Sequence, residues 1–144
     1  MPRSLTEPER QAFLAEPRLG VLSVAADDGR PPTIVPVWHH YEPGGDLSFY
    51  SHARGRKTGL IERAGAVSFV VKDDAPPYKY VAVEGSLVRT DRPPSADQLA
   101  AIARRYLPED QVQGYVAAEL ENDLVVYAIR PDRWLSADFG DEDA

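Results

Sequence analysis

The sequence predicts a mainly β protein: an antiparallel sheet of six to seven strands, closed or half-closed into a barrel, with short flanking helices. Three observations predict it. Short runs rich in Val, Ile, Phe and Tyr recur along the chain, separated by turn clusters such as Asp27-Asp28-Gly29-Arg30 and Glu42-Pro43-Gly44-Gly45-Asp46. Helical patterns are few and do not alternate with the strands, which argues against a doubly wound parallel sheet. Neither a GxGxxG nor a Walker phosphate loop is present. The 144 residues suit one domain with one real core, spanning 1–144. The acidic end, from about residue 140, is expected to be a disordered, solvated tail.

The first helix opens at Leu5 to Arg10. Thr6 is a fair N-cap, Glu9 stands three residues on, and Pro8 is tolerated in the first turn. Phe13 and Leu14 give the helix an apolar edge, and Pro17 stops it. Leu19 to Ala25 is the first strand. In the hairpin turn after it, Gly29 supplies a positive φ. Pro32 to Tyr41 is the second strand. Pro36 within it marks a bulge or an edge, because proline donates nothing to a ladder. Leu47 to Ser51 is the third strand, a short helix runs from Lys57 to Arg63, and Ala66 to Lys72 is the fourth strand. Tyr78 to Arg89 is the longest strand pattern, and Gly85 in it reads as a bulge or a close backbone approach. Ser95 caps a helix from Ala96 to Tyr106, and Pro108 separates it from a second helix over Glu109 to Glu119. Asp123 to Ile129 is a strand. Arg130-Pro131-Asp132 reads as a turn into a short last strand, Arg133 to Ala137.

Composition narrows the function. With no cysteine, disulfides, thiol catalysis and thiolate metal sites are excluded. No apolar run approaches the roughly 20 residues of a membrane span, and the start of the chain lacks an apolar signal core. A cytoplasmic protein without a membrane partner is the simplest expectation. A net charge of −7 argues against a nucleic-acid partner. His39 and His40 are adjacent on a strand and point to opposite faces, and with His52 they form no ligand spacing, so no metal site is assigned. No Ser-His-Asp or paired-carboxylate set suggests hydrolysis.

One stretch carries chemistry. In Ser51-His52-Ala53-Arg54-Gly55-Arg56-Lys57-Thr58 a strand breaks into a basic turn and then a helix start. Free N–H groups at a helix start, with the positive end of its dipole, suit an anion. Arg56 can fork two phosphate oxygens, Lys57 adds a point charge, and Gly55 lets the backbone come close. The bland alternative is a solvated basic face, the usual fate of Lys and Arg.

In order and spacing, four segments resemble the pyridoxamine-phosphate-oxidase-like split barrels, a family of flavin- and deazaflavin-binding oxidoreductases. They are Leu19 to Val24 with Asp28-Gly29-Arg30-Pro31; Val35-Pro36-Val37-Trp38; Phe49-Tyr50-Ser51 with Arg56-Lys57; and Tyr80 to Gly85. The end, Arg133 to Phe139, is similar to that of the small single-domain branch. The likeness covers about three-quarters of the chain. It implies an FMN-binding split-barrel fold and a homodimer with a cofactor site at the subunit interface. It implies that Arg56 and Lys57 hold a cofactor phosphate with Ser51 assisting, and that backbone around Val35, Pro36, Val37 and Trp38 lies along the ring. By its chemistry Trp38 could wall the ring, and Thr58 could cap the helix and add a hydroxyl. The departure is the lack of a cationic C-terminal segment: after Asp132 only Arg133 remains, so oxidation of pyridoxamine phosphate itself is not expected.

The expected activity is hydride transfer with a small organic substrate, using FMN or coenzyme F-420, with no side-chain acid or base assigned. The alternative is a non-catalytic module holding a flavin, deazaflavin or haem, with His39, His40 and His52 as candidate axial ligands. Tyr78, Tyr80 and Trp134 read as core or interface aromatics, and Glu84 as structural or at the interface.

Overall fold

The computed structural model describes residues 2–141. Its strands are β1 (Gly20–Val24), β2 (Thr33–Val37), β3 (Leu47–His52), β4 (Ala66–Lys72), β5 (Lys79–Asp91) and β6 (Leu124–Asp138). Its helices are α1 (Glu7–Ala15), α2 (Arg56–Ala64), α3 (Ala96–Ala103) and α4 (Glu109–Glu119). The strands form one antiparallel sheet of six in the order β2-β1-β4-β5-β6-β3. This is the mainly β half-barrel that the turn-separated apolar runs predict. Its edges approach each other through one bridge: His40, just past β2, exchanges two backbone bonds of 2.9 Å with Ser48 of β3.

Local signals explain most boundaries. Thr6 and Glu9 form a reciprocal capping box at α1, with proline in the first turn, and Ser95 and Gln98 form another at α3. Gly29 has φ 77° in the turn between β1 and β2. β2 is an edge strand, paired only with β1, so Pro36 interrupts no central ladder. It ends at Val37, short of the expected Tyr41.

The main correction concerns β6. Arg130-Pro131-Asp132 does not end a strand; Leu124 to Asp138 is continuous. The pairing passes from Glu84↔Arg133 to Gly85↔Pro131, so Asp132 is the extra residue of a bulge opposite Gly85. A Cβ on Gly85 would lie 2.5 Å from the Arg130 carbonyl oxygen and 2.5 Å from Ile129 Cγ2. The missing side chain therefore admits the neighbouring backbone. β3 pairs with β6 only up to Ile129, so Pro131 faces no partner on that side and its absent N–H is tolerated.

The run Leu124-Val125-Val126-Tyr127-Ala128-Ile129 is buried on both faces. Val125, Tyr127 and Ile129 join the barrel core with Leu22, Phe49, Phe69, Val81 and Val83. Leu124 and Val126 pack under α3 and α4 against Leu99, Ala103, Val112 and Val116. Each such side chain contributes roughly 1.5–3 kcal/mol on burial, which makes β6 the shared wall of two apolar layers.

The sheet's other face is open. One row crosses five strands through the register partners Pro36, Val21, Val70, Ala82 and Leu135. Val21 is 37% and Leu135 47% exposed, and Ile34 beside them 69%. Glu84 sits on this face, 3.8 Å from Arg133, whereas Trp134 packs inward against Tyr41. Of the acidic tail expected from residue 140, Gly140 and Asp141 fall in a 3-10 turn (Phe139–Asp141) and residues 142–144 lie outside the described residues.

Candidate functional site

α2 starts where β3 stops. Its N-cap is Gly55, which makes no side-chain capping bond, and its first turn holds no acidic residue. The first N–H groups are thus left to another acceptor. Beside this helix start lies a cleft of about 210 Å³ lined by Pro36, Val37 and Trp38 from the end of β2, Tyr50, Ser51 and His52 from β3, and Lys57. Two edge strands that nearly meet, and a helix that begins between them, create it.

The structure brings Pro36, Val37, Trp38, Ser51 and Lys57 to one cleft. Val35 stands beside it but packs against the barrel core. Lys57 is half-buried. Burial alone depresses its pKa, and no carboxylate among the described residues offsets that penalty. Its position favours an anion from outside the chain.

Arg56 points elsewhere. Its guanidinium donates to Thr33 Oγ1 at 2.7 Å and to the Asp28 carboxylate at 3.1 and 3.3 Å. Thr58 is not the helix cap. It is the third residue of α2, buried, and donates its hydroxyl proton to the His52 carbonyl. Ser51 Oγ lies 2.9 Å from Thr58 Oγ1. Since the Thr58 proton is committed, Ser51 donates to Thr58 and keeps only lone pairs. The two hydroxyls brace the turn from below and have no free proton for a phosphate.

Trp38 stacks on Tyr106 with ring centres 5.0 Å apart and planes at 6°, and tilts over Tyr115 at 5.5 Å. The Tyr50 and Tyr115 hydroxyls bond each other. Burial raises the pKa of both, so both stay neutral. Tyr50 and His52 alternate outward from β3 and were available to a strand-period reading. Tyr106 and Tyr115 reach Trp38 only because the α3–α4 hairpin folds back over β6, which no local pattern encodes.

The paired histidines divide as expected. His40 is partly exposed, while His39 is fully buried behind Trp38. His39 Nε2 donates to the Leu14 carbonyl at 2.8 Å, and Nδ1 lies 3.0 Å from the Tyr106 hydroxyl. With both ring nitrogens engaged, it has none free for an axial bond. Burial, aided by the Arg105 cation, pulls its pKa down to about 4 from 6.5. The unfolded chain therefore takes up the proton first, and stability is lost as pH falls from 6.5 toward about 4. Denaturant titrations should show wild type losing about 2 kcal/mol more than His39→Gln between pH 7 and pH 5. Equal losses would refute the neutral, buried assignment.

The chain matches the family model described as pyridoxamine 5'-phosphate oxidase over residues 6–134. Among solved structures it is similar to an F-420 reductase, with 25% identity, TM-score 0.68, and 86% of this chain and 94% of that one covered. It is also similar to a conserved hypothetical protein from Mycobacterium tuberculosis, with 22% identity, TM-score 0.72, and 94% and 86% covered. A third likeness is to a FAD-binding protein from Mesorhizobium loti, with 22% identity, TM-score 0.64, and 95% and 96% covered. No curated protein matches the sequence.

Proposed function

Because the chain belongs to the pyridoxamine 5'-phosphate oxidase family, we propose that it is an oxidoreductase using FMN or coenzyme F-420, acting on a small organic substrate. The observation that carries this reading is Lys57: a half-buried ammonium without a carboxylate, beside an uncapped helix start, in a cleft walled by Trp38. That set fits the phosphate end of a planar ring cofactor. The F-420 reductase and the FAD-binding protein among the similar structures support a ring of this kind.

In this reading Lys57 and the N–H groups of α2 hold the phosphate. The backbone of Val35, Pro36 and Val37 runs along the ring's polar edge. Trp38, fixed by Tyr106 and Tyr115, closes one side. Ser51 and Thr58 keep the turn in shape through their mutual hydroxyl bond. The bound cofactor supplies the hydride chemistry; the chain supplies position and field. Pyridoxamine phosphate is not the proposed substrate, since the Arg133 guanidinium lies 3.8 Å from Glu84 on the open sheet face and does not line the Lys57 cleft.

The open apolar row is the proposed homodimer face, and a hollow of about 540 Å³ lined in part by Ser23, Ser68, Glu84 and Arg133 adjoins it. Sedimentation at micromolar concentration should show a dimer, and Val21→Glu should yield monomer. A wild-type monomer removes the interface site. The deciding test of function is spectroscopic titration with FMN and with the deazaflavin. Saturable binding of one at micromolar concentration supports the reading, and binding of neither ends it.

A further inference from the structure

We propose that Asp28 sets the charge of the anion accepted at α2, favouring a singly charged phosphodiester over a doubly charged phosphomonoester. This rests on the assignment of Lys57 and the helix start to the cofactor's phosphate. Arg56 is the first residue of α2 and the strongest forked cation near that site. Its fork is already filled. One Nη lies 3.1 and 3.3 Å from the two Asp28 oxygens, and the other donates to Thr33 at 2.7 Å.

The carboxylate is held in place rather than met by chance. Arg30 N–H donates to Asp28 Oδ1 at 3.3 Å, within a turn fixed by Gly29. Asp27 next to it pairs with Arg63. Arg56 and Arg63 are two helical turns apart on α2, so the acidic turn lies lengthwise along one helix face. Although burial opposes it, the Arg56 hydrogen bond and charge hold the Asp28 carboxyl below its usual range. It stays ionised wherever the protein is folded and near neutral.

The charges then balance in one way. Arg56 and Asp28 cancel. Lys57 and roughly half a unit of positive charge at the helix start remain. A phosphodiester with one negative charge is nearly matched. A phosphomonoester with close to two is drawn more strongly by these groups, but it gives up far more hydration on entering the cleft and is repelled twice as strongly by Asp28, a few ångströms beyond Arg56. Asp28 thus acts through Arg56, as a positioning and selecting residue.

The test measures dissociation constants by fluorescence quenching. In a flavin and in a deazaflavin series, three probes are compared: the ring with its bare ribityl chain, its phosphomonoester, and a phosphodiester of it. In wild type the diester should bind at least as tightly as the monoester. In Asp28→Asn the monoester should gain about tenfold, the diester about threefold, and the uncharged compound less than twofold. Asp28→Glu should keep the wild-type ranking. Equal gains for both phosphates, no gain for either, or a wild-type monoester that binds tighter than the diester overturns the proposal alone. Failure of every probe in both series to bind wild type removes the cofactor reading, and this inference falls with it.

Discussion

Lys57→Ala is expected to weaken FMN or deazaflavin binding at least tenfold, ~1.4 kcal/mol, while leaving the fold as stable as before or slightly more so. The split follows from where the ammonium sits. In the free protein Lys57 is half-buried beside Pro36, Val37 and Trp38 with nothing to offset its desolvation. Removing it relieves that penalty. In the complex the same group would face a phosphate in a cleft partly shielded from water, where an ion pair is worth more than on an open surface. Arg56→Ala should also weaken binding of a phosphate, because the Asp28 carboxylate that the guanidinium now balances would be left facing the anion. The double variant should be no better than Lys57→Ala. Isothermal titration together with thermal melts reads both halves. Unchanged affinity in Lys57→Ala with an intact fold would withdraw the site.

Gly85→Ala should destabilise by about 3 kcal/mol, the upper end for overpacking a core. Its Cβ would lie 2.5 Å from the Arg130 carbonyl oxygen and 2.5 Å from Ile129 Cγ2. Neither can step aside cheaply. The carbonyl belongs to β6 at the bulge, and Ile129 is fully buried in the barrel core. Gly114→Ala is the matched control. It lies within α4 with nothing within 4 Å of an added Cβ, so helix propensity alone should stabilise it by about 0.5–1 kcal/mol. Denaturant midpoints for the two variants should move in opposite directions. A Gly85→Ala change below about 1 kcal/mol would mean that β5 and β6 are not so tightly apposed.

Elements built on local rules were legible in the sequence. The Thr6 and Ser95 capping boxes, the Gly29 turn and the bounds of α4 depend on residues within a turn of one another. The opposite fates of His39 and His40 follow the alternation of an extended segment, although β2 itself ends at Val37. The β6 continuation was not legible, because Arg130-Pro131-Asp132 carries the residues of a turn. What overrides them is Gly85, 45 or more residues earlier, whose bare backbone makes room for the bulge. For the cleft, the segments 35–38 and 51–58 were visible, since each is contiguous. Their detailed roles were not. Asp28 claims Arg56 from across the β1–β2 turn, His52's carbonyl claims the Thr58 hydroxyl, and Tyr106 and Tyr115 reach Trp38 through the fold. Sequence shows which donors are near a site and is silent on which of them are already engaged.

Pro36 has one more consequence. A lone outer strand normally presents a row of open amides and carbonyls that could recruit a stray segment and seed a fibrillar stack. β2 is such a strand, yet Pro36, the fourth of its five residues, has no amide hydrogen to give. The same ring that lines the cleft beside Trp38 therefore guards the margin of the sheet against runaway growth.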